Sequence, residues 1–302
     1  MEASAWHFPV MAAEVLEYLA VRPDGVYIDA TAGLGGHTAA IAGRLAAGLV
    51  FSCDRDPESL ALARANTQAW AERIRWVETK FSDLQRSLAS AGLERADGLV
   101  ADLGVSRYQL TEPLRGFSLA ASGPLDMRMS RSQRTTAADL VNFTAERELA
   151  DLIWRLGQER RARRIARAIV RGRPVTTTGQ LVRIIESAVP RTGRLSPATL
   201  TFMALRMAVN EEQEELDALL AGLPALVKAG GRAVVISFMS LEDGKVKNAF
   251  RDLARSGRAR ILTKHVVKPS AEEVRRNPPS RSARLRAIEF LEQSGPAGAG
   301  PE

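Results

Sequence analysis

Cysteine, histidine and aromatic residues are scarce in this 302-residue chain, and each shortage narrows what it can be. The single cysteine, Cys53, excludes a disulfide framework and a cysteine zinc cluster within one chain, and no metal site is expected; a reducing, intracellular setting fits. No stretch approaches the roughly twenty apolar residues needed to span a bilayer. The start, Met1 to His7, lacks a basic region followed by an apolar one, so a cytoplasmic protein without membrane contact is expected. No internal repeat is visible. The closing run from Gly295 to Pro301 is too rich in glycine and proline to pack, which predicts a disordered tail over 293–302.

What is present begins with charge. The formal net charge is +7, carried mostly by arginine, whose forked guanidinium suits phosphate recognition. A polyanionic partner is plausible on that count, although coding bias alone can enrich arginine and leave a merely solvated basic surface.

The densest motif is Tyr27-Ile28-Asp29-Ala30-Thr31-Ala32-Gly33-Leu34-Gly35-Gly36-His37-Thr38. Val26, Tyr27 and Ile28 suit a buried parallel strand, and Gly33, Gly35 and Gly36 allow a tight turn close to a ligand, with a helix starting near Gly36. A second buried strand, Leu49 to Asp54, ends in a carboxylate able to accept hydrogen bonds from ribose hydroxyls. Dinucleotide enzymes and methyltransferases share that arrangement. The dinucleotide fingerprint needs a third glycine where this chain has His37 and Thr38, which disfavours a pyrophosphate cofactor and leaves a nicotinamide dehydrogenase a poor reading. The plainer alternative is a glycine turn that only joins strand to helix.

Periodicity predicts a helix over Pro9 to Ala20, a helix from Pro57 to about Trp70, and strands at Ile74 to Thr79 and Gly98 to Asp102, giving a βαβ rhythm. Asp102 becomes a third strand-end carboxylate. From about Arg107 to Leu205 the strand alternation gives way to helical, arginine-rich patterns, until Gly231 to Phe238 restores a buried strand. A helix from Asn210 to Lys228 precedes that strand. A helix near Val246 to Arg255 follows it, with two strand-like runs, Ile261 to Val267 and Leu285 to Leu291, that could pair as an antiparallel hairpin edge. The predicted organisation is a nucleotide-binding α/β domain in two parts, 1–106 and 206–292, split by a helical insertion at 107–205.

Several segments together resemble the bacterial small-subunit ribosomal RNA cytosine-N4 methyltransferases, the RsmH (formerly MraW) family, from about His7 to Glu289. They are His7 to Val10, Asp29 to His37, Asp102-Leu103-Gly104-Val105-Ser106, Arg115-Gly116-Phe117-Ser118, Gly123 to Met129, Glu159 to Ile169, Val209-Asn210 and Ser240 to Asp243, in the family's order. The resemblance implies a class I S-adenosylmethionine-dependent methyltransferase fold, Rossmann-like α/β, with an inserted, mostly helical domain that helps hold RNA. It implies S-adenosylmethionine as cofactor, a cytidine in the decoding region of 16S ribosomal RNA as target, and a possible homodimer. Donor contacts carry over by motif position to Gly35, Gly36, His37, Asp54, Phe81, Asp102 and Gln109, beside Gly33 of the same turn. His37 as a solvent-facing helix start, Phe81 as an ordinary core aromatic and Gln109 as a loop residue are the plain alternatives.

Methylating an exocyclic amine requires a site that accepts an amine hydrogen bond and aligns nitrogen, methyl and sulfur. Asp102 and Ser106 are candidates around the amine, and Asp126 a further one, unless it forms a local ion pair with Arg128. Asn277-Pro278-Pro279-Ser280 superficially resembles the amine-methyltransferase motif, yet lacks its aromatic residue and reads better as an ordered loop. Along Arg160 to Arg173, burial of Ile165, Ala166, Ile169 and Val170 would turn guanidinium groups outward. Arg160, Arg164, Arg167 and Arg171, with Arg128, are therefore candidate RNA contacts. The chain departs from the family pattern at Arg107 and Tyr108 (for Ser-Pro), Leu200 (for Arg), Met203 (for Gln) and Met239 (for His). These changes lie on the substrate side and leave open a non-catalytic ribosomal RNA binding or assembly factor, or an amine methyltransferase for another nucleic acid.

Overall fold

A computed structural model describes residues 9–191, 193 and 196–292, and the chain divides into two compact units. One is built from residues up to Gly104 and from Glu215 onward, the other from Val105–Glu214. His7, Phe8 and the tail at 293–302 lie outside the described residues.

The first unit opens with helix α1 (Ala12–Leu19) and alternates strand and helix: β1 (Val26–Asp29), α2 (Gly36–Ala42), β2 (Leu49–Asp54), α3 (Pro57–Asn66), β3 (Ile74–Glu78), α4 (Leu84–Ser90) and β4 (Ala96–Asp102). Helix α3 starts where Asp56 accepts the backbone N–H of Glu58 (3.0 Å) and Pro57 takes the first helical position. It stops earlier than the expected Trp70. The Thr67 hydroxyl donates to the carbonyl of Ala63 (2.8 Å), and the chain tightens into a 3-10 turn over Gln68–Arg73.

The second unit carries α5 (Arg107–Thr111), α6 (Ala137–Phe143), α7 (Glu146–Gly157), α8 (Ala162–Arg171), α9 (Thr178–Ala188) and α10 (Thr199–Val209). Helix α11 (Glu212–Leu226) returns the chain to the first unit, which closes with β5 (Val227–Ser237), α12 (Ser240–Arg255), β6 (Ala259–Ile261), α13 (Ala271–Arg276) and β7 (Arg284–Phe290). Among the described residues no helix is long and apolar enough to cross a membrane.

The seven strands form one sheet in the order β3-β2-β1-β4-β5-β7-β6. Pairing is parallel from β3 to β5, while β7 runs antiparallel to both β5 and β6. The expected antiparallel pair is present, with two differences. Its second strand lies between β5 and β6, and its first is regular only over Ala259–Ile261, because the Thr263 hydroxyl then takes the Ala287 N–H (3.0 Å) and a single bridge, Val267 to Leu285, resumes the contact. Side chains alternate across the sheet as a period of two requires. Leu99, Ala101, Ala233, Val235 and Ile288 join a core that includes Leu216, Leu219 and Leu223 of α11 and Phe250 of α12. Val100, Val234, Ile236 and Leu285 join the opposite core, with Val15 and Leu19 of α1 and Ile41 of α2. Helices on both faces of a sheet whose strand order reverses between β1 and β4 make a class I methyltransferase, Rossmann-like fold, with a topological switch point at the carboxyl ends of those two strands.

The helical unit has its own core, and this corrects its expected end at residue 205. Phe202, Leu205 and Val209 of α10 pack with Leu149, Ile165, Ile169 and Leu181, so the helix belongs wholly to this unit. From its last turn, Arg206 forks onto Glu212 at the start of α11 with two bonds of 2.8 Å. The expected helix from Asn210 to Lys228 therefore begins two residues later.

Candidate active site

The carboxyl ends of β1, β2 and β4 converge on the switch point. Gly35, with φ of 88°, caps the start of α2, and a side chain there would meet the Thr67 methyl at 2.8 Å. At Gly36 a side chain would meet Pro9 at 2.9 Å, so both glycines are required by conformation or space. The turn they make is tied to β2: the Gly33 N–H donates to Asp54 Oδ2 (2.8 Å) and the Asp56 N–H to Asp54 Oδ1 (2.9 Å). Burial pushes the Asp54 carboxyl up to about 6, against the lowering effect of those two N–H groups. Each carboxylate oxygen keeps a further lone pair, so Asp54 retains the capacity to accept ribose hydroxyls.

Asp29, fully buried at the end of β1, is structural. It accepts from the Thr38 hydroxyl (2.6 Å) and the Thr31 N–H (3.1 Å), and Thr38 in turn meets the Ser52 hydroxyl at 2.6 Å. These contacts clamp strand, turn and helix together. The Thr31 hydroxyl accepts the N–H of Asp102 (2.7 Å), which fixes the end of β4 beside that of β1.

His37 is buried, contrary to a solvent-facing helix start, and its Nε2 lies 3.6 Å from Asp102 Oδ2. That distance exceeds hydrogen-bond reach, and protonation of the imidazole would add a charge attraction. Burial pulls the His37 pKa down, yet the carboxylates of Asp102 and Asp29 outweigh it and the net shift is upward. Both His37 ring nitrogens and Asp102 Oδ1 are buried without a hydrogen-bond partner among the described residues. Buried polar atoms left open in this way fit a ligand that satisfies them, and a polar, positively charged methyl donor beside Asp102 suits them chemically.

Phe81 follows β3, whose register pairs Asp54 with Glu78, and opens a 3-10 turn over Phe81–Asp83. The turn is anchored by Glu215 of α11, a residue the sequence reading missed: it accepts the Ser82 N–H (2.9 Å) and hydroxyl (3.0 Å), and Lys80 Nζ lies 3.4 Å away. Phe81 packs at the edge of the core with part of its ring exposed, as an adenine-facing side chain would.

Ser106, Gln109, Asp126 and the candidate arginines belong to the helical unit. Ser106 and Gln109 satisfy each other in a capping box at the start of α5: the Gln109 N–H donates to the Ser106 hydroxyl (3.3 Å) and the Ser106 N–H to Gln109 Oε1 (3.0 Å). Asp126 takes Arg128 Nε (2.7 Å), Nη2 (2.8 Å) and the Arg128 backbone N–H (3.0 Å). Burial raises the Asp126 pKa, but these bonds and the Arg128 charge outweigh it, for a net downward shift. Arg128 also donates to the carbonyls of Gln133 and Arg131. Asn210, buried at the end of α10, ties the same loop by accepting the Met129 N–H (2.8 Å) and donating to the Met127 carbonyl (2.8 Å). On α8, burial of Ala162, Ile165, Ala166 and Ile169 turns Arg164, Arg167 and Arg171 outward, with Arg160 exposed just before the helix. Arg167 reaches Glu146 at 3.4 Å.

The sequence matches the model of the MraW methylase family over residues 4–291. A protein of Solibacter usitatus named "Ribosomal RNA small subunit methyltransferase H" is 61% identical over 284 residues, covering 94% of this chain and 99% of its own. Proteins of the same name from Acidobacterium capsulatum and a Cyanothece species are 47% and 44% identical, each over 293 residues; they cover 94% and 97% of this chain, and 98% and 97% of their own. The turn, the three strand-end carboxylates and these likenesses lead to one conclusion: the chain belongs to the MraW methylase family.

Proposed function

We propose that this protein transfers the methyl group of S-adenosylmethionine to the exocyclic N4 of a cytidine in the decoding region of 16S ribosomal RNA, acting on the small subunit. The observation that carries the transfer site is the set of open polar atoms on His37 and Asp102 beside the Gly33 to Gly36 turn. The RNA side is supported by the exposed arginines of α8 and by relatives named as small-subunit ribosomal RNA methyltransferases.

S-adenosylmethionine, when bound, supplies an electrophilic methyl group on a sulfonium. Gly33, Gly35 and Gly36 admit its methionine portion, Asp54 accepts its ribose hydroxyls, Phe81 packs on its adenine, and Gln109 contributes from the start of α5. On the acceptor side, Asp102 Oδ1 takes an N–H of the cytosine amine, which counters delocalisation of the nitrogen lone pair into the ring. His37 borders the Asp102 carboxylate at its other oxygen, Oδ2. Ser106 and Asp126 act by holding their loops, since their polar atoms are engaged by Gln109 and Arg128. Arg160, Arg164, Arg167 and Arg171 bind phosphates.

The test is transfer of labelled methyl from S-adenosylmethionine to purified small subunits lacking the modification, followed by nucleoside mass spectrometry and mapping. N4-methylcytidine in the decoding region is the expected product. The departures at Arg107, Tyr108, Leu200, Met203 and Met239 favour a second reading, a ribosomal RNA binding or assembly factor without turnover. Donor binding with no transfer would select it, and transfer to a different nucleic acid would redirect the substrate assignment.

A further inference from the structure

We infer that Phe143 is a stacking platform for an unpaired base of the RNA substrate, set beside the arginines of the helical unit. This rests on the RNA-methylating reading above and adds a contact that the arginine stripe does not supply.

Phe143, the last residue of α6, is 83% exposed, more than any other large apolar side chain among the described residues. The backbone around it is held firmly. Arg173 Nε donates to the Val141 carbonyl (2.8 Å) and Nη2 to the Thr144 carbonyl, so one guanidinium grips the chain on both sides of the ring. Asn142 exchanges two bonds of 2.8 Å with the backbone of Val175, and Val141 is fully buried. A fraying helix end would not be fixed at so many points. The turn is held while its largest apolar group faces solvent.

The charges nearby select the partner. Arg173 sits on this turn, and Arg167 reaches Glu146 only three residues beyond Phe143, with Arg171 one helical turn further along the exposed face of α8. Two carboxylates, Glu146 and Glu148, oppose them at the start of α7, and Glu146 is the one already met by Arg167. An exposed ring on a turn held by one guanidinium, in a unit whose α8 presents further exposed arginines, is a combination that suits unpaired nucleotides: the ring stacks on a base and the exposed arginines take phosphates. An apolar protein surface would offer nothing to the exposed Arg164 and Arg171 of α8.

Stacking and phosphate contacts differ in salt response, because only the latter release counterions. Binding of the full chain to labelled, unmethylated small subunits, measured over a range of salt, therefore separates them. F143A is expected to weaken binding by about tenfold with the slope of log affinity against log salt unchanged. F143W should restore binding and F143L should not, because bulk without a π-face cannot stack on a base. R167Q should instead flatten the slope. Wild-type affinity in F143A, or full restoration by F143L, overturns the inference. Unchanged RNA affinity together with a shift in sedimentation would assign the ring to an interface between copies and also overturn it. If the wild-type chain itself neither binds nor methylates small subunits, the RNA reading fails as well, a pattern distinct from an active wild type matched by F143A.

Discussion

The sheet unit and the helical unit treat the polar side chains of their candidate sites in opposite ways. In the sheet unit His37 is buried and Asp102 half-buried, each with buried polar atoms left open, and Asp54 is pushed to about 6 by burial. In the helical unit Ser106 bonds with Gln109 and Asp126 with Arg128, and exposed arginines stand on the surface of α8. On the proposed reading, the open buried polar atoms belong to a pocket for a small polar ligand, and the saturated loops with their exposed arginine face to a scaffold that presents charge to a large polyanion. The division of labour predicts which substitutions abolish chemistry, which weaken RNA binding, and which cost only stability.

The most severe break should come at Asp102. Asp102→Asn keeps the shape but replaces the acceptor charge beside the amine, and methyl transfer at saturating substrate should fall by about a hundredfold or more. Small-subunit binding should be unaffected. A near-normal turnover number would remove Asp102 from the chemistry.

Next in size is the arginine face. Changing Arg160, Arg164 and Arg167 together to Gln should weaken small-subunit binding by about a hundredfold near physiological salt. It should also lower the salt slope by about two to three units, since each of the three lost phosphate contacts removes about 0.7–0.9 of a counterion. Donor affinity, measured by calorimetry, should stay unchanged. Retained small-subunit affinity in the triple variant would mean that α8 is merely solvated.

Asp54 sharpens the contrast through pH. Its pKa in the folded chain, about 6, lies above the ordinary carboxylate value of 3.8, so the folded state holds a proton more tightly than the unfolded chain between those values. The stabilisation from this group is fully present below 3.8 and is lost as pH rises through about 6. Donor binding should respond in the other direction, because ribose hydroxyls need the ionised acceptor. Affinity for S-adenosylmethionine should fall, by about tenfold, as pH drops below that pKa. Asp54→Asn should bind weakly at every pH and flatten the profile. A wild-type profile that is itself flat there would detach Asp54 from the ribose.

Legibility in the sequence divides along the same line. The sheet unit could be read because strand, glycine turn and strand-end acid are local patterns: Val26 to Asp29, Gly33 to Gly36 and Leu49 to Asp54 all lie where their apolar runs and glycines put them. Partnerships across long separations could not be read this way. Glu215 anchors the Phe81 turn across 133 residues and Asn210 ties the Met127 to Met129 loop across more than 80, and neither bond leaves a periodic trace. The end of the helical unit, which contacts place at Glu214, is hidden from sequence for the same reason. The pattern of α10 reveals a helix but not that Phe202, Leu205 and Val209 face Leu149 and Ile165.

The smallest effect on turnover belongs to Asp126, where the sequence left substrate contact and local ion pairing equally open. The bidentate pair with Arg128 occupies both carboxylate oxygens, and its lowered pKa makes it a poor proton acceptor. Asp126→Asn should therefore leave methyl transfer within about twofold of wild type, while thermal unfolding shows a loss of about 1–2 kcal/mol, the usual worth of a charge-assisted bond in a partly buried setting. Because the folded pKa is depressed, this stabilisation is present above the unfolded value and lost as pH falls through the folded one. The stability difference between wild type and variant should accordingly shrink in acid. A large fall in turnover with unchanged stability would reverse the assignment, and would place chemistry in the unit that otherwise only presents charge.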